Sequence, residues 1–239
     1  MPFSNAVSRT VPGSPCLSGF LKVAAFSLLL SSAALAQQPA AAPAPTTPAP
    51  YAAKNEIFLV IGQVLVPDHN IAPNGGFSTN ALTFKGGAAF EIGLARRIAT
   101  MDHFTVTAEL PFAIFPQVKL GRSSGGNATT NYSAAFATPS LRLSFRPGSR
   151  LQPWVSGGGG YAREEGGNTL LDGSTNTQSR ILNTYAIQFG AGVDYRFSKY
   201  ISFRADARDF FAPVPKLGVT QTDNRGHNVV YGGGVVLHF

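Results

Sequence analysis

The feature that most constrains this fold is an alternation of apolar and mixed residues that recurs along most of the chain. The alternation is clearest over residues 82–94, 104–114 and 184–195. A period of two places successive side chains on opposite faces of a β-strand. These segments therefore predict strands with one apolar face, and in the first of them that face comprises Leu82, Phe84, Gly86, Ala88, Phe90, Ile92 and Leu94.

Five further segments complete a set of eight predicted strands. They cover residues 56–66, 135–145, 152–163, 201–210 and 228–239. An even number of strands is typical of closed single-chain bacterial barrels, and about 10 residues per strand suffice to cross a membrane when tilted. The sequence thus predicts an all-β fold, an eight-stranded antiparallel up-and-down transmembrane β-barrel.

The lengths of the links between strands predict which way the barrel points. Short links around residues 96–103, 146–150 and 198–200 alternate with long, polar, glycine-rich links, and both ends of the barrel fall on the short side. Outer-membrane barrels have short periplasmic turns and long extracellular loops. We therefore expect four extracellular loops, at residues 67–81, 116–134, 164–181 and 212–227.

The amino-terminal region predicts export. Arg9 and Lys22 precede an apolar run at residues 23–30, and small residues follow it up to Ala36. This is the pattern of a secretory signal peptide, here residues 1–36, with cleavage before Gln37. The single cysteine, Cys16, would leave with it. We expect residues 37–53, rich in Ala and Pro, to form a periplasmic linker and residues 54–239 to form the barrel.

The net charge of +7 does not indicate nucleic-acid binding. Without Arg9 and Lys22 the chain has 17 basic and 12 acidic residues, a net charge of +5. The basic residues occur singly, apart from the pair Arg96 and Arg97, and form no basic run. A nucleic-acid-binding surface needs clustered positive charge.

Several segments resemble the small eight-stranded outer-membrane barrels of the OmpA-like and opacity-protein type. They are Glu-Leu-Pro-Phe at residues 109–112, Gly-Ala-Gly-Val-Asp-Tyr at 190–195, Arg-Ala-Asp-Ala-Arg-Asp-Phe at 204–210, and the alternating strand that ends at Phe239. The resemblance implies a location in the outer membrane of a diderm bacterium and contact with outer-membrane lipids. It also implies that Phe239 is part of the signal read by the barrel-assembly machinery. No carboxy-terminal peptidoglycan-binding domain is expected.

A soluble lipocalin-like barrel is the main alternative fold. It also has eight alternating strands, but its apolar faces point inward. That arrangement would leave the terminal Phe239, the alternating link lengths and the strand glycines at 157–160 without an explanation.

The charged strand residues should point into the barrel. A Lys or Arg on the lipid face near the membrane midplane costs about 2–4 kcal/mol. An eight-stranded interior is just wide enough to be filled by side chains. We therefore expect a structural network of paired charges that plugs the lumen, formed by Lys85, Glu91, Glu109, Arg142, Asp194, Arg204, Asp206 and Arg208.

The sequence contains no recognisable catalytic, cofactor-binding or metal-binding motif. The glycine clusters lack the residues and the helix of a phosphate-binding loop, and no Gly-x-Ser-x-Gly elbow is present. His69 and His227 fall on loops that barrel closure brings together, with Asp68 and Asp223 nearby. They are the candidates for a metal or catalytic site at the extracellular rim, and ordinary solvated loop residues are the alternative.

The sequence therefore predicts a barrel that is not an enzyme and needs no cofactor. Its expected role is envelope-structural, or a surface interaction in which the four extracellular loops contact a ligand. Two alternatives remain open. A narrow ion or solute pore would need a continuous water path past Arg142 and Glu109, and a lipid-modifying barrel enzyme would need a rim Ser or Thr bonded to His69 or His227.

Overall fold

The computed structural model describes residues 53–71, 80–121, 128–218 and 225–239. Within these ranges the regular structure is entirely β. The strands are β1 (Asn55–Leu65), β2 (His69–Ile71), β3 (Asn80–Leu82), β4 (Gly87–Thr100), β5 (Phe104–Lys119), β6 (Asn131–Ala137), β7 (Ser140–Phe145), β8 (Leu151–Gly166), β9 (Ile181–Arg196), β10 (Ile201–Pro213) and β11 (Arg225–His238).

Nine of these strands form a closed antiparallel barrel with eight strand positions, because β6 and β7 are the two halves of one interrupted strand. β1 pairs with both β4 and β11, which closes the sheet. β5 pairs with β4 on one side and with β6 and β7 on the other. The closing contact continues past the strand ends, where Phe239 N donates to Asn55 O at 3.0 Å. The prediction of an eight-stranded antiparallel barrel is confirmed.

The apolar face of the barrel points outward. Ile61, Phe90 and Leu94 each expose about half of their surface, whereas the residues beside them along the strands are buried. The closing strand follows the same rule, with Val235, Leu237 and Phe239 exposed and Val236 and His238 buried. A continuous apolar exterior is the opposite of the lipocalin-like arrangement. The strand positions that alternate with these exposed residues are buried, which agrees with the expectation that charged side chains lie inside the barrel.

The prediction for residues 82–86 is wrong. Leu82 was expected on the lipid face, but it is fully buried at the end of β3 and belongs to an apolar cluster inside the barrel. Phe84 packs against the same cluster. The break lies at Gly86, whose φ of +73° takes the chain out of the extended conformation just before β4 begins. The alternation therefore holds only from Gly87 onward.

Two further boundaries differ from the sequence prediction. The predicted strand at 135–145 is interrupted at Thr138 and Pro139, between β6 and β7. Proline has no N–H to donate to a sheet, which explains the interruption. Strands β5, β8, β9 and β10 also extend beyond their predicted ends toward the loops, so the loops are shorter than expected.

The described parts of the second, third and fourth long loops are hydrogen-bonded to one another. Thr129 N donates to Leu217 O at 2.9 Å, and Leu171 N donates to Ala128 O at 2.8 Å. Thr130 N donates to Thr169 O at 2.9 Å. These bonds join residues 128–130, 167–171 and 217, which belong to the second, third and fourth loops, into one layer over the end of the barrel.

No helix among the described residues is long and apolar enough to cross a membrane. The expected signal peptide, at 1–36, and almost all of the expected linker, at 37–53, lie outside the described residues.

Candidate functional site in the barrel interior

Arg142, on β7, is the centre of a group of carboxylates inside the barrel. It is only 2% exposed. One of its nitrogens forms a close ion pair with Glu56, another lies 3.0 Å from Glu109 Oε1, and Asp194 Oδ2 is 3.7 Å away. Three carboxylates from β1, β5 and β9 thus converge on one guanidinium.

Arg204, on β10, continues the network beside Arg142. Its Nε and Nη2 atoms each donate a 2.8 Å hydrogen bond to a different oxygen of Asp194. Trp154 Nε1 donates to the same carboxylate at 3.2 Å. A bidentate pair of this kind fixes both the distance and the orientation of the two groups. Asp194 and Arg204 are Cα partners of β9 and β10, so the pair also holds the register of these strands.

Arg208 follows Arg204 by four residues on β10 and lies closer to the end of the barrel that carries the long loops. Its Nε is 2.9 Å from Glu91 Oε1 and 3.2 Å from Asp206 Oδ2, and its Nη1 is 3.4 Å from Glu109 Oε2. Its guanidinium also lies over the rings of Phe58 and Trp154, at 5.5 and 5.1 Å. Glu109 therefore links Arg208 to Arg142. We call the connected residues the ion-pair layer: Glu56, Glu91, Glu109, Arg142, Asp194, Arg204, Asp206 and Arg208.

The ion-pair layer differs from the predicted network in one residue, because it contains Glu56 in place of Lys85. Lys85 is exposed beside Gly86, outside the barrel strands, and is not part of the layer. Glu56, which the sequence reasoning omitted, takes part through Arg142 and lies 3.5 Å from His238 Nδ1. The layer therefore holds five carboxylates and three arginines, where four of each sign were expected. Such an acidic excess would favour cations over anions if water entered.

A second layer fills the barrel between Arg208 and the long loops. The rings of Phe115, Phe136 and Phe210 are fully or almost fully buried. Their centroids are 5.3 Å apart for Phe115 and Phe136, 6.1 Å for Phe115 and Phe210, and 4.8 Å for Phe136 and Phe210. We call these three rings the aromatic layer. They belong to a larger apolar cluster that includes Val64, Leu82, Val118 and Leu217.

Among the described residues, one buried charged residue lies in this half of the barrel. Glu164 is fully buried, and neither of its carboxylate oxygens has a hydrogen-bond partner among the described residues. Its Cα partners across the sheet are Ala134 and Leu182. Burying a carboxyl group without a partner is costly. The sequence reasoning placed Glu164 at the start of a loop and did not identify it.

The opposite end of the barrel is open. A cavity of about 580 Å³ lies between the ends of β1, β4, β7, β9, β10 and β11 and the short turns. We call it the mouth cavity. Its walls include Glu56, Arg142, Asp194, Arg196, Ser202 and His238. The floor of the mouth cavity is therefore the ion-pair layer itself.

Two members of the rim site suggested by the histidines, His227 and Asp68, are among the described residues, and Asp68 Oδ1 accepts a hydrogen bond from Phe84 N at 3.2 Å. His227 is exposed, with its Nδ1 atom 2.6 Å from Asp209 Oδ2 and its ring 4.8 Å from that of Phe211. The side chain of His69 and all of Asp223 lie outside the described residues. Within the described part of the chain, no group of three or more His, Cys, Asp or Glu side chains could hold a metal ion.

The geometry of the chain defines its class. A closed antiparallel barrel with an apolar exterior and a charged interior satisfies every backbone hydrogen bond within the sheet and presents hydrocarbon to lipid. The protein is an eight-stranded transmembrane β-barrel of the outer-membrane type, located in the outer membrane.

Neither a protein-family model nor a curated protein sequence matches the chain. Solved structures similar to it include the attachment invasion locus protein Ail of Yersinia pestis, at 14% identity and a TM-score of 0.42 over 78% of this chain and 99% of Ail. The amino-terminal barrel domain of Pseudomonas aeruginosa OprF has 13% identity and a TM-score of 0.42, over 78% and 98% of the two chains. The outer membrane protein AlkL has 15% identity and a TM-score of 0.43, over 85% and 96%.

Proposed function

We propose that this protein is a sealed outer-membrane barrel that acts through its extracellular loops, in an envelope-structural or surface-interaction role. The observation that supports the proposal is that two layers of side chains fill the interior of the barrel. A solute moving through the barrel would have to pass both the ion-pair layer and the aromatic layer, and the residues that form them are at most 8% exposed.

The two layers oppose transport for different physical reasons. In the ion-pair layer, Arg142 and Arg208 each contact three carboxylates, so displacing either side chain breaks several contacts together. In the aromatic layer, water or an ion would meet apolar rings that offer no hydrogen bonds. This arrangement favours the structural role over the narrow pore.

The loops are the part of the molecule that remains for contact with a partner. The third loop exposes polar residues of small size, among them Asn168, Thr169, Asp172, Ser174 and Thr175. Asp172 Oδ1 accepts bonds from Ser174 N and Oγ at 2.8 and 2.6 Å. Together with the bonds between loops, this gives a pre-ordered surface, and pre-ordering lowers the entropic cost of binding. Hydroxyl and amide groups suit a hydrogen-bonding ligand.

Planar-bilayer recording tests the sealed interior. Folded wild-type protein should show at most small, infrequent openings, with a general porin inserted in the same bilayers as the positive control. Stable, large conductance from the wild type would contradict the proposal and favour the pore.

Cell adhesion tests the role of the loops. Replacing residues 172–178 with a Gly/Ser segment should leave the amount of folded barrel in the outer membrane unchanged and reduce adhesion of the bacteria to polysaccharide-coated surfaces. As a control, the same replacement at residues 147–149, in a periplasmic turn, should leave adhesion unchanged. Equal adhesion of all three strains would refute a loop-mediated interaction with such surfaces.

A further inference from the structure

A serine, a histidine and a glutamate form a connected series in the mouth cavity. Ser202 Oγ lies 2.8 Å from His238 Nε2. The other ring nitrogen, His238 Nδ1, lies 3.5 Å from Glu56 Oε1. All three residues are at most 8% exposed, and all three contribute to the wall of the cavity. The series therefore borders a space that a small molecule could enter from the periplasm.

The register of the barrel explains why these residues meet. Glu56 and His238 are Cα partners of β1 and β11. Ser202 is the Cα partner of Val236, two residues before His238, so Ser202 and His238 are diagonal neighbours on the inner face. Diagonal neighbours in an antiparallel sheet are within reach of longer side chains. The contact is thus built into the sheet and does not depend on a loop.

The charges around Glu56 set the orientation of the imidazole. Glu56 Oε2 is held by Arg142, and Oε1 faces His238. His238 Nδ1 has no hydrogen-bond partner among the described residues, so Glu56 acts on the ring through its charge, which favours the tautomer with its proton on Nδ1. The lone pair of His238 Nε2 then faces the hydroxyl group of Ser202, and this hydroxyl can donate its proton to Nε2. A base oriented by a third group and bonded to a hydroxyl is the arrangement that activates a serine nucleophile.

A permanent positive charge lies beside the serine. Arg196 is the Cα partner of Ser202 across β9 and β10, so both side chains point inward, and Arg196 also lines the cavity. A guanidinium at this position is suited to stabilise the negative charge that forms on the carbonyl oxygen of an ester attacked by Ser202. Lys54 and Arg97 add further positive charge to the cavity wall. The lining carries four basic residues, Lys54, Arg97, Arg142 and Arg196, and three acidic ones, Glu56, Asp102 and Asp194, so its small net positive charge favours an anionic substrate over an uncharged one.

We propose that Ser202, His238 and Glu56 form a hydrolytic site for small carboxylic esters that carry a negative charge. This activity goes beyond the loop-based function. Ser202 Oγ bonds to the ester carbonyl carbon while its proton passes to His238 Nε2. The carbon–oxygen bond to the alcohol then breaks, and His238 gives the proton to the leaving alcohol.

Water completes the cycle. It attacks the acyl carbon and gives a proton to His238, and the bond to Ser202 Oγ then breaks as that proton returns to the serine. The net reaction converts one ester and one water into an acid and an alcohol. Ser202 and His238 are the catalytic residues, and Glu56 is a positioning residue that acts through His238.

The test uses purified, folded wild-type protein in detergent. The substrates are the mono-4-nitrophenyl ester of glutaric acid, which is anionic, and 4-nitrophenyl acetate, which is neutral. We expect turnover of both, with the higher kcat/KM for the anionic ester. A fluorophosphonate probe should form a single adduct, located on Ser202 by peptide mass spectrometry. Because the adduct is sought on the wild type, this result does not depend on how any variant folds.

Variants separate catalysis from structure. Ser202→Ala should reduce kcat/KM by roughly 10²-fold or more, the scale of removing a positioned nucleophile or base. The control Ser156→Ala removes another buried interior hydroxyl, which bonds Gln188 outside the cavity, and should leave turnover unchanged. Glu56→Gln should lower kcat with little effect on KM, and Glu56→Asp should restore part of it.

Two results would overturn the proposal. One is the absence of an adduct on Ser202 in folded wild-type protein, and the other is equal turnover by the wild type and Ser202→Ala. The Gly/Ser replacement of the third loop separates this proposal from the loop-based function, since it should reduce adhesion and leave ester hydrolysis intact.

Discussion

Replacing Arg142 with methionine should destabilise the barrel strongly. Methionine has a similar length but no charge, so it removes the ion pairs with Glu56, Glu109 and Asp194 and retains much of the packing. Glu109 and Asp194 keep contacts with Arg204, whereas Glu56 keeps only His238 among its ion-pair partners in the described residues.

The magnitude follows from the burial of the group that remains. Arg142 is 2% exposed and Glu56 is 8% exposed, so the carboxylate that remains has little contact with solvent. Removing one partner of a buried pair costs about 3–5 kcal/mol. The matched control is Arg163→Met, since the Arg163 side chain is 50% exposed and its contact with Glu165 is 4.0 Å long. Its effect should stay within about 0.5 kcal/mol.

Urea unfolding in detergent, followed by tryptophan fluorescence, measures this difference directly. Trp154 is the only tryptophan of the chain, and it contacts the network through Asp194. The double variant Arg142→Met/Glu56→Gln should recover part of the lost free energy, because the unpaired charge is gone. A free energy of unfolding for Arg142→Met within about 0.5 kcal/mol of the wild type would refute the reasoning, since surface substitutions reach that range without any network.

Three further predictions concern other parts of the chain. Glu164→Met should raise the free energy of unfolding by about 1–3 kcal/mol in the same urea assay, because it removes a buried carboxyl with no hydrogen-bond partner among the described residues. The control Glu165→Gln, at a partly exposed neighbour, should have little effect, and a loss of stability in Glu164→Met would contradict the prediction. Deleting Phe239 should reduce the yield of folded protein in the outer membrane far more than deleting the loop residue Asn224, and equal yields would remove its role as an assembly signal. Mass spectrometry of the outer-membrane fraction should find Gln37 at the amino terminus, and a chain that retains Cys16 would refute the proposed cleavage.

The sequence determined the strands and the faces of the barrel, because both are local properties. A period of two specifies which residues share a face, and the cost of placing charge in lipid decides which face turns inward. That reasoning was enough to place Arg142, Glu109, Asp194 and Arg204 in the interior. It failed at Lys85, because the positive φ of Gly86 interrupts the strand, and a φ angle cannot be read from an alternation pattern.

Only the tertiary structure decided which interior residues meet. Glu56 was missed because both faces of β1 are largely apolar, with Phe58 and Val60 inside and Leu59 and Ile61 outside. Alternation alone therefore does not indicate which face of this strand points into the barrel. Its position beside Arg142, and the meeting of Ser202 with a histidine 36 residues away, follow from the strand register. Register is set by the closure of the whole sheet, and no local segment contains that information.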